Sequence, residues 1–306
     1  MKKSAKYILK DVLRNYQLYL FMLPALLYLL VFKYIPMYGA QIAFKEFVPS
    51  MGIGGSKWIG FTHFRRFFAS SEFWTVLRNT LSLSVMQLAV CFPMPIVIAL
   101  MINQSIWKRF KKAVQTAIYA PHFISTVVLA GMVYVFVAPS NGLFNLIIKK
   151  LGGEGIFFMG EAGWFKPLYV LSSLWQNSGW DAIIYIGALT SISPELYETA
   201  EIDGANKLQK ILHIDLPSIL PTIIILLILN VGNIMSMGFE KAYLMQNNLN
   251  RASSEIISTY VYKMMISSGG MYSFSAAVGL FNSVINLVLL ISSNQLAKRF
   301  GDTSLW

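Results

Sequence analysis

Apolar residues along the chain gather into six long stretches that are separated by shorter polar segments. A helix needs about 20 predominantly apolar residues, rising about 1.5 Å each, to cross the roughly 30 Å hydrocarbon layer of a bilayer. The six stretches approach or exceed that length and cover residues 18–35, 80–102, 114–138, 168–189, 219–245 and 273–292. None shows the ten-residue alternation of apolar and polar positions that is typical of a membrane β-barrel. The pattern predicts an all-α integral membrane protein with six transmembrane helices.

Composition supports a membrane protein and excludes several soluble classes. Of the 306 residues, 56% are hydrophobic and only 13% are charged, whereas soluble domains carry about 25% charged residues. So few charges cannot cover a soluble globule, which argues against a soluble enzyme and against a disordered chain. The net charge of +11 forms no single basic patch, because Lys and Arg are divided among several loops. We therefore expect a lipid bilayer, and not nucleic acid, around this chain.

Basic residues in the short loops predict the orientation of the spans. The compact cluster WKRFKK at 107–112 lies between the second and third stretches, and such clusters remain on the cytoplasmic side. The first stretch follows a basic tail and lacks a small-residue cleavage site, so it is interpreted as a retained span and not as a signal peptide. Both termini are then cytoplasmic. The predicted divisions are a tail over 1–17, a transmembrane domain over 18–292 and a tail over 293–306.

Two outer segments are longer than a simple connection needs, 37–75 and 139–167. The first contains GFTHFRRFFASSEFW at 60–74, where aromatic and basic residues alternate in short succession. Such a mixture suits a helix that lies in the headgroup layer. A packed loop with aromatic residues at the membrane interface remains an equal alternative.

No catalytic or metal-binding arrangement is visible in the sequence. The histidines His63, His122 and His213 are scattered, and Cys91 is the single cysteine, so neither a zinc site nor a disulfide framework is expected. GIGGSK at 52–57 lacks the spacing of a phosphate-binding loop and is interpreted as a turn. We expect a chain that is not an enzyme, binds no cofactor and does not itself hydrolyse ATP.

The inner loop 193–221 is unusually long and rich in acidic residues. Ser193 is a good N-cap and Pro194 suits the first helical position, so a helix is predicted to begin here. The Asp-Gly pair at 203–204 should end it, because Gly readily adopts the positive φ of a sharp turn. A second short helix is predicted over 206–213, before Leu-Pro leads into the fifth span. A helix–Gly–helix loop is suited to docking another protein, although an ordinary amphipathic linker is the simpler alternative.

At this loop the sequence resembles the permeases of ATP-binding-cassette (ABC) importers. Their loop signature is Glu-Ala-Ala-x-x-Asp-Gly-Ala followed by Leu-Pro and a further Pro, and the matching positions are Glu198, Ala200, Asp203, Gly204, Ala205, Ile214, Leu216, Pro217 and Pro221. Thr199 replaces the usual second Ala, and Ile211 stands where an aromatic residue is common. The resemblance extends over nearly the whole chain. Segments 33–45, 119–125 and 202–205 and the final Leu305-Trp306 resemble the branch that imports oligosaccharides or polysaccharide fragments.

The resemblance implies a type I importer permease fold with a cytoplasmic coupling helix, in a bacterial cytoplasmic membrane. The resemblance implies a second permease subunit, a different chain that would form a heterodimer with this one. It also implies two cytoplasmic ATPases, which hold ATP and Mg, and an extracytoplasmic solute-binding protein, which delivers an oligosaccharide. The residues implied to couple to the ATPase are Glu198, Ala200, Asp203, Gly204, Ala205, Leu216 and Pro217.

Polar and aromatic residues inside the spans are candidates for a substrate pathway, because such groups are costly in lipid and are functional by default. They are Trp175, Asn177, Trp180, Asp181, Asn230, Asn233, Glu240, Asn282 and Asn286. In the fifth stretch they recur with Met237 at steps of three and four, which predicts one helix face. Amides can hydrogen-bond sugar hydroxyls and aromatic faces can cover sugar C–H surfaces. The alternative is that these residues join helices to one another.

The sequence therefore predicts the permease subunit of an ATP-driven oligosaccharide importer. A stand-alone secondary transporter or channel for small polar solutes is the second hypothesis, but it predicts inverted repeats or an intramembrane ion-binding chain, and neither is visible. A membrane-embedded enzyme would need an acid–base or metal arrangement that the sequence lacks.

Overall fold

The computed structural model describes residues 14–105, 107–236, 238–266, 270–300 and 303–306. Most of the predicted N-terminal tail, Met237 and part of the C-terminal tail therefore lie outside the described residues. Within the described ranges the chain is mostly helical. A short hairpin joins β1 (Lys45–Glu46) antiparallel to β2 (Lys57–Trp58), so within the described residues the fold departs from the predicted all-α class by this one small feature.

The longer helices follow the predicted stretches with several changes of length. They are α1 (Tyr16–Phe44), α2 (Thr62–Phe68), α3 (Glu72–Asn103), α4 (Lys108–Tyr119), α5 (Thr126–Phe136), α6 (Leu143–Lys150), α7 (Ala162–Thr190), α8 (Pro194–Ile202), α9 (Lys207–Gly232), α10 (Phe239–Met245), α11 (Ile257–Ile266) and α12 (Tyr272–Phe300). Shorter helical turns occupy Pro49–Met51, Gly52–Gly55, Ala120–Phe123 and Arg251–Ser254.

Four described helices are long and apolar enough to cross a bilayer: α1, α3, α9 and α12. The bent pair formed by α4 and α5 makes a fifth if it is counted as one span. Helix α7 covers the predicted fourth stretch with 29 residues, which extend for about 43 Å at 1.5 Å per residue, but polar residues interrupt it and it lacks an apolar segment as long as those of the four. Several membrane-spanning helices are therefore present, in agreement with the predicted membrane fold.

The predicted third span over 114–138 is not one uninterrupted helix. Helix α4 continues through the turn Ala120–Phe123 and then meets α5 at an angle of 99°. Two local causes act together. Pro121 has no N–H to donate along the helix, and the Ser125 side chain accepts a hydrogen bond from Val128 N, which begins a new helix in another direction.

The predicted continuous fifth span over 219–245 is also wrong. Helix α9 ends at Gly232, the chain turns over 233–236, and α10 begins at Phe239. Two asparagines of α12 satisfy the unwound backbone: Asn282 Nδ2 donates to Met235 O at 3.1 Å, and Asn286 Oδ1 accepts from Met235 N at 2.9 Å. The break is stable because these side chains replace the lost helical hydrogen bonds. The polar residues around it do not share one helix face.

The predicted second inner helix over 206–213 has the expected start but not the expected end. Asn206 caps it in a capping box with Gln209, as its residue type favours. The helix then continues through a widened π-turn, Ile211–Asp215, into the membrane part of α9. Because Pro217 lacks an N–H and crowds the carbonyl four residues earlier, the widened turn accommodates it without ending the helix.

The core is centred on α7, which packs against α3, α4, α9 and α10. Helix α2 in the aromatic outer segment is packed and not isolated, since Phe67 is fully buried among Phe73, Phe274 and other rings. By contrast, no residue of α1 from Tyr16 to Tyr34 is buried. The outer segment thus belongs to the bundle of this chain, while the first span stands apart from it.

Candidate functional site

The loop 193–221, which is the predicted coupling loop, begins with a short helix closed by a sharp main-chain turn. Helix α8 has Ser193 at its N-cap and Pro194 in its first turn, as predicted, although the Ser193 side chain makes no capping hydrogen bond. At the other end Ala205 N donates to Ala200 O at 2.8 Å, and Gly204 N donates to Glu201 O at 3.1 Å. This pair of hydrogen bonds is a Schellman motif, which satisfies the last carbonyls of the helix.

Gly204 occupies the position of the motif that requires a left-handed backbone. Its φ is +74°, and a Cβ built on it would meet no atom of the described structure within 4 Å. The strain of a larger residue there would come from the backbone and not from contacts in this chain. The neighbouring Asp203 carboxylate makes no hydrogen bond with the described residues, so main-chain groups alone close the turn.

The surface of the loop combines apolar and charged side chains. Leu196, Ile202, Leu208 and Leu212 are all at least half exposed, with Ile202 at 87%. Glu198 and Asp203 are exposed beside them. Exposed apolar residues that are grouped on one polar-rimmed element are typical of a protein-binding surface.

An ion pair fixes α8 relative to the start of α9. Lys210 Nζ lies 2.7 Å from Glu201 Oε1, on opposite sides of the turn. The hydrogen bond and the charge of Lys210 lower the pKa of the Glu201 carboxyl. The turn is therefore braced at neutral pH, and this contribution is lost only as the pH falls through the depressed pKa.

The residues that match the family signature divide by exposure. Glu198, Asp203, Gly204 and Pro217 are exposed, and Ala200, Ala205 and Leu216 are half-buried. Five of these seven residues lie on α8 or its closing turn, and Leu216 and Pro217 lie in α9, so the structure brings most of the predicted coupling residues together on one element.

A polar cavity of about 360 Å³ lies between α3, α7 and α9, and it extends to the break after α9. Four of the predicted pathway residues line it: Asn177, Asp181, Asn230 and Asn233. The Nδ2 atoms of Asn230 and Asn233 donate to carbonyls of their own helix, Leu226 O and Leu229 O, which leaves their oxygens as acceptors.

The other five predicted pathway residues lie elsewhere. Trp175 lines a separate apolar cavity of about 260 Å³ beside α5. Trp180 stacks on His122 with ring centroids 4.5 Å apart, and Glu240 is exposed in the first turn of α10. Asn282 and Asn286 hold the break after α9, so their contacts in this chain are those of helix-joining residues.

The structure adds cavity residues that the sequence analysis missed. Ser84, Gln87, Cys91 and Ser173 line the cavity, and the Gln87 Oε1 atom has no hydrogen-bond partner in the described structure. His122 joins the wall indirectly through a 3.1 Å contact between its Nδ1 atom and Asn177 Oδ1. A helical projection of α3 would have placed Ser84, Gln87 and Cys91 on one face, but it would not have shown what that face meets.

A buried lysine lies directly behind the same wall. Lys241 Nζ donates to Ser173 Oγ at 2.6 Å and to Tyr169 O at 3.0 Å, and it lies 4.7 Å from the Tyr169 ring centroid. These contacts tie α10 to α7 next to the cavity. Glu240 was a pathway candidate from the sequence, but its neighbour Lys241 is the buried one of the two.

Comparison with known proteins identifies the family. The model of the binding-protein-dependent transport system inner membrane component matches residues 78–302. The chain belongs to this family. The match confirms the resemblance that was drawn from the coupling loop, and it favours the ABC permease over a stand-alone transporter or channel.

Individual relatives match this family member over almost their whole length. Protein LplB of Bacillus subtilis is 43% identical over 293 residues, which cover 96% of this chain and 92% of LplB. The polygalacturonan/rhamnogalacturonan transport system permease protein YteP of the same organism is 43% identical over 305 residues, covering 100% of this chain and 95% of YteP. The chain also matches a solved structure, the crystal structure of a bacterial alginate ABC transporter in complex with an alginate pentasaccharide-bound periplasmic protein. The matched chain is 40% identical in sequence, and the TM-score is 0.88. The match covers 97% of this chain and 99% of the matched chain.

Proposed function

We propose that this permease is one of two membrane subunits of an ABC importer that moves oligosaccharides from an extracytoplasmic binding protein into the cell. The observation that carries the proposal is the coupling loop: an exposed helix with a Schellman turn, apolar residues on its surface and an ion pair that stiffens it. A transporter that works without an ATPase has no need of such a surface.

The polar cavity supports a carbohydrate as the transported solute. Its volume of about 360 Å³ lies in the range of about 300–1,000 Å³ that is usual for ligand sites. Amides, hydroxyls and the Asp181 carboxylate line it, and these groups pair well with sugar hydroxyls. We propose Asn177, Asp181, Asn230 and Asn233 as pathway residues. The aromatic candidates Trp175 and Trp180 would act only where a partner subunit completes the pathway.

The isolated first span supports a second permease. The apolar side chains of α1 point outward on all sides, with Phe21 exposed to 85% and Leu18 to 64%. No residue between Tyr16 and Tyr34 is buried by the rest of the described chain. Another subunit packed against it would give it the neighbours that a bundle helix normally has. The resemblance to the oligosaccharide branch implies that the second permease is a different chain, so we propose a heterodimer.

The remaining assignments follow from this assembly. We propose six spans, α1, α3, α4 with α5, α7, α9 and α12, with both termini in the cytoplasm and the coupling loop on the same side. Two ATPases bind there and hold ATP and Mg, while this chain contributes no nucleotide site and no catalysis. We propose the divisions predicted from the sequence: tails over 1–17 and 293–306, a transmembrane domain over 18–292, and the coupling loop over 193–221 within it.

Reconstitution tests the proposal. The chain is purified with its second permease, ATPases and binding protein, placed in liposomes, and supplied with polygalacturonan or alginate oligosaccharides, the glycans of its relatives. We expect ATP-dependent uptake that requires the binding protein, and no ATPase activity from this chain alone. Uptake that persists without ATPase subunits would overturn the proposal in favour of a stand-alone transporter.

A further inference from the structure

A fully buried carboxylate lies where the coupling loop enters the membrane part of the chain. Asp215 is 0% exposed and is the last residue of the π-turn in α9. Its oxygens accept hydrogen bonds from the Tyr197 hydroxyl, from Asn103 Nδ2 at 3.2 Å and from Gln104 Nε2 at 2.7 Å. These four residues are called the Asp215 cluster below.

The cluster joins three elements through a single carboxylate, in addition to the Lys210–Glu201 ion pair between α8 and α9 and the apolar packing of α3 on α9. Tyr197 lies on α8, Asn103 and Gln104 end α3, and Asp215 begins the apolar part of α9. Asn103 Nδ2 also donates to the Tyr197 hydroxyl at 3.3 Å, so Asn103, Tyr197 and Asp215 are each hydrogen-bonded to the other two. The coupling helix is thus bonded, through one carboxylate, to the ends of two spans.

The carboxylate is held by neutral donors. Within the described residues the ion pairs involve other acids, and no Lys or Arg nitrogen lies within 4.0 Å of Asp215. A buried charge without a counter-ion depends on each of its hydrogen bonds, since an unmet acceptor there carries the full cost of desolvation. Burial, with a contribution from the Asp215 hydrogen bond, raises the pKa of Tyr197 to about 12. The phenol therefore keeps its proton and remains a donor throughout the physiological pH range.

We propose that Asp215 is a positioning residue that transmits displacement of the coupling helix to α3 and α9. This inference rests on the proposed function, because it assigns the path by which ATPase motion reaches the spans that line the cavity. Directional hydrogen bonds to a charge are stiff, whereas the exposed apolar residues of α8 can slide. When α8 moves, the carboxylate moves with it, and the ends of α3 and α9 follow together.

The consequence is a specific form of uncoupling. If the Tyr197 hydroxyl is removed, α8 still docks on the ATPase through its own surface, and the ATPase still hydrolyses ATP. The movement no longer reaches both spans in step, so less glycan crosses for each ATP. A residue that only stabilised the fold would instead lower assembly, hydrolysis and uptake together, at an unchanged ratio.

The test measures uptake per ATP in proteoliposomes of the complete complex, with polygalacturonan and alginate oligosaccharides as probes. Tyr197→Phe removes the hydroxyl that donates to the Asp215 carboxylate. Tyr134→Phe is the control, because the Tyr134 hydroxyl donates to a main-chain carbonyl of α10, Met245 O at 3.4 Å, and not to the coupling loop. We expect Tyr197→Phe to retain the ATPases and basal hydrolysis while uptake per ATP falls about tenfold, the factor set by one hydrogen bond to a charged group. Tyr134→Phe should leave the ratio unchanged.

Asp215→Asn and the double variant complete the test. Because both changes break one cluster, we expect the double variant to be no worse than the worse single variant. An unchanged ratio in Tyr197→Phe, or two effects that simply add, would overturn the inference. A parent complex that shows no ATP-dependent uptake of either probe would contradict the proposed function itself, which is a separate result.

Discussion

At the scale of single residues, the most constrained position of the coupling loop is Gly204. Its φ of +74° suits Gly, and the space around its Cβ position is open within this chain. A side chain placed there therefore points away from the bundle, towards whatever docks on α8. Backbone strain and bulk can be separated experimentally, because Asn tolerates the left-handed region better than Arg and most other residues with a side chain.

We predict that Gly204→Arg prevents ATPase docking, whereas Gly204→Asn retains it. Both replace Gly, but Asn adopts positive φ at little cost and adds a short side chain, while Arg adds strain and bulk. Binding to the ATPase should fall about tenfold or more in the Arg variant, since about 1.4 kcal/mol of clash already changes an equilibrium constant tenfold. Co-purification of the ATPase measures the effect. Equal amounts of ATPase on both variants would show that Gly204 does not face the partner.

At the scale of secondary-structure elements, two breaks shape the cavity. The bend between α4 and α5 places His122 beside Asn177, and the break after α9 brings Ile234 and Ser236 into the cavity wall. In each case a side chain from the chain itself replaces the helical hydrogen bonds that the break removes. Broken helices at membrane depth persist only where the freed backbone groups find such partners.

We predict that Asn286→Leu destabilises the break after α9. It removes the acceptor for Met235 N and the donor to Ser236 Oγ, at 2.9 and 2.7 Å, and a buried unpaired N–H costs about 1–3 kcal/mol. The melting temperature of the purified protein should fall by several degrees. Ser283→Ala on the same helix is the control, since its hydroxyl is exposed and bonds only Gly279 O. Equal melting temperatures for the two variants would contradict this role of Asn286.

Helix α6 faces outward in the proposed topology, where a binding protein would meet it. Buried Asn145 anchors it to the neighbouring loop, while Leu146 and Ile147 are about half exposed. The double change Leu146→Ser/Ile147→Ser should abolish most stimulation of ATPase activity by the binding protein and spare basal activity. Leu296→Ser, similarly exposed at the opposite end of the bundle, should leave stimulation intact. Full stimulation of the double variant would show that α6 is not the docking surface.

At the scale of the whole molecule, the orientation in the membrane determines which partner meets which surface. The coupling loop serves an ATPase only if it faces the cytoplasm, and the hairpin and α6 serve a binding protein only if they face outward. The chain ends share the side of the coupling loop in the proposed topology, so one accessible position near the C-terminus tests the arrangement.

We predict that a cysteine at position 303 is shielded from the outside. Thr303→Cys is placed in a Cys91→Ser background, because Cys91 is the single native cysteine. A membrane-impermeant maleimide should label it only after the cells are permeabilised. Lys57→Cys in the exposed hairpin should be labelled in intact cells and serves as the control. The reverse pattern would place the coupling loop outside and contradict the proposed topology.

The sequence by itself determined the features that depend on local chemistry. The lengths of the apolar runs located membrane helices. Pro194, Gly204 and Asn206 marked the start of α8, its closing turn and the start of α9, because a proline in the first turn, a positive φ and a capping box depend on single residues and their neighbours. Only the tertiary structure decided where helices break and what they face. Continuous apolar runs hid the bend after Pro121 and the break after Gly232, since the hydrogen bonds that permit the break after Gly232 come from Asn282 and Asn286, about 50 residues away. The sequence likewise did not distinguish Asp215 from the other acidic residues of the loop, because its three hydrogen-bond donors come from α3 and α8 and meet it only in the folded chain.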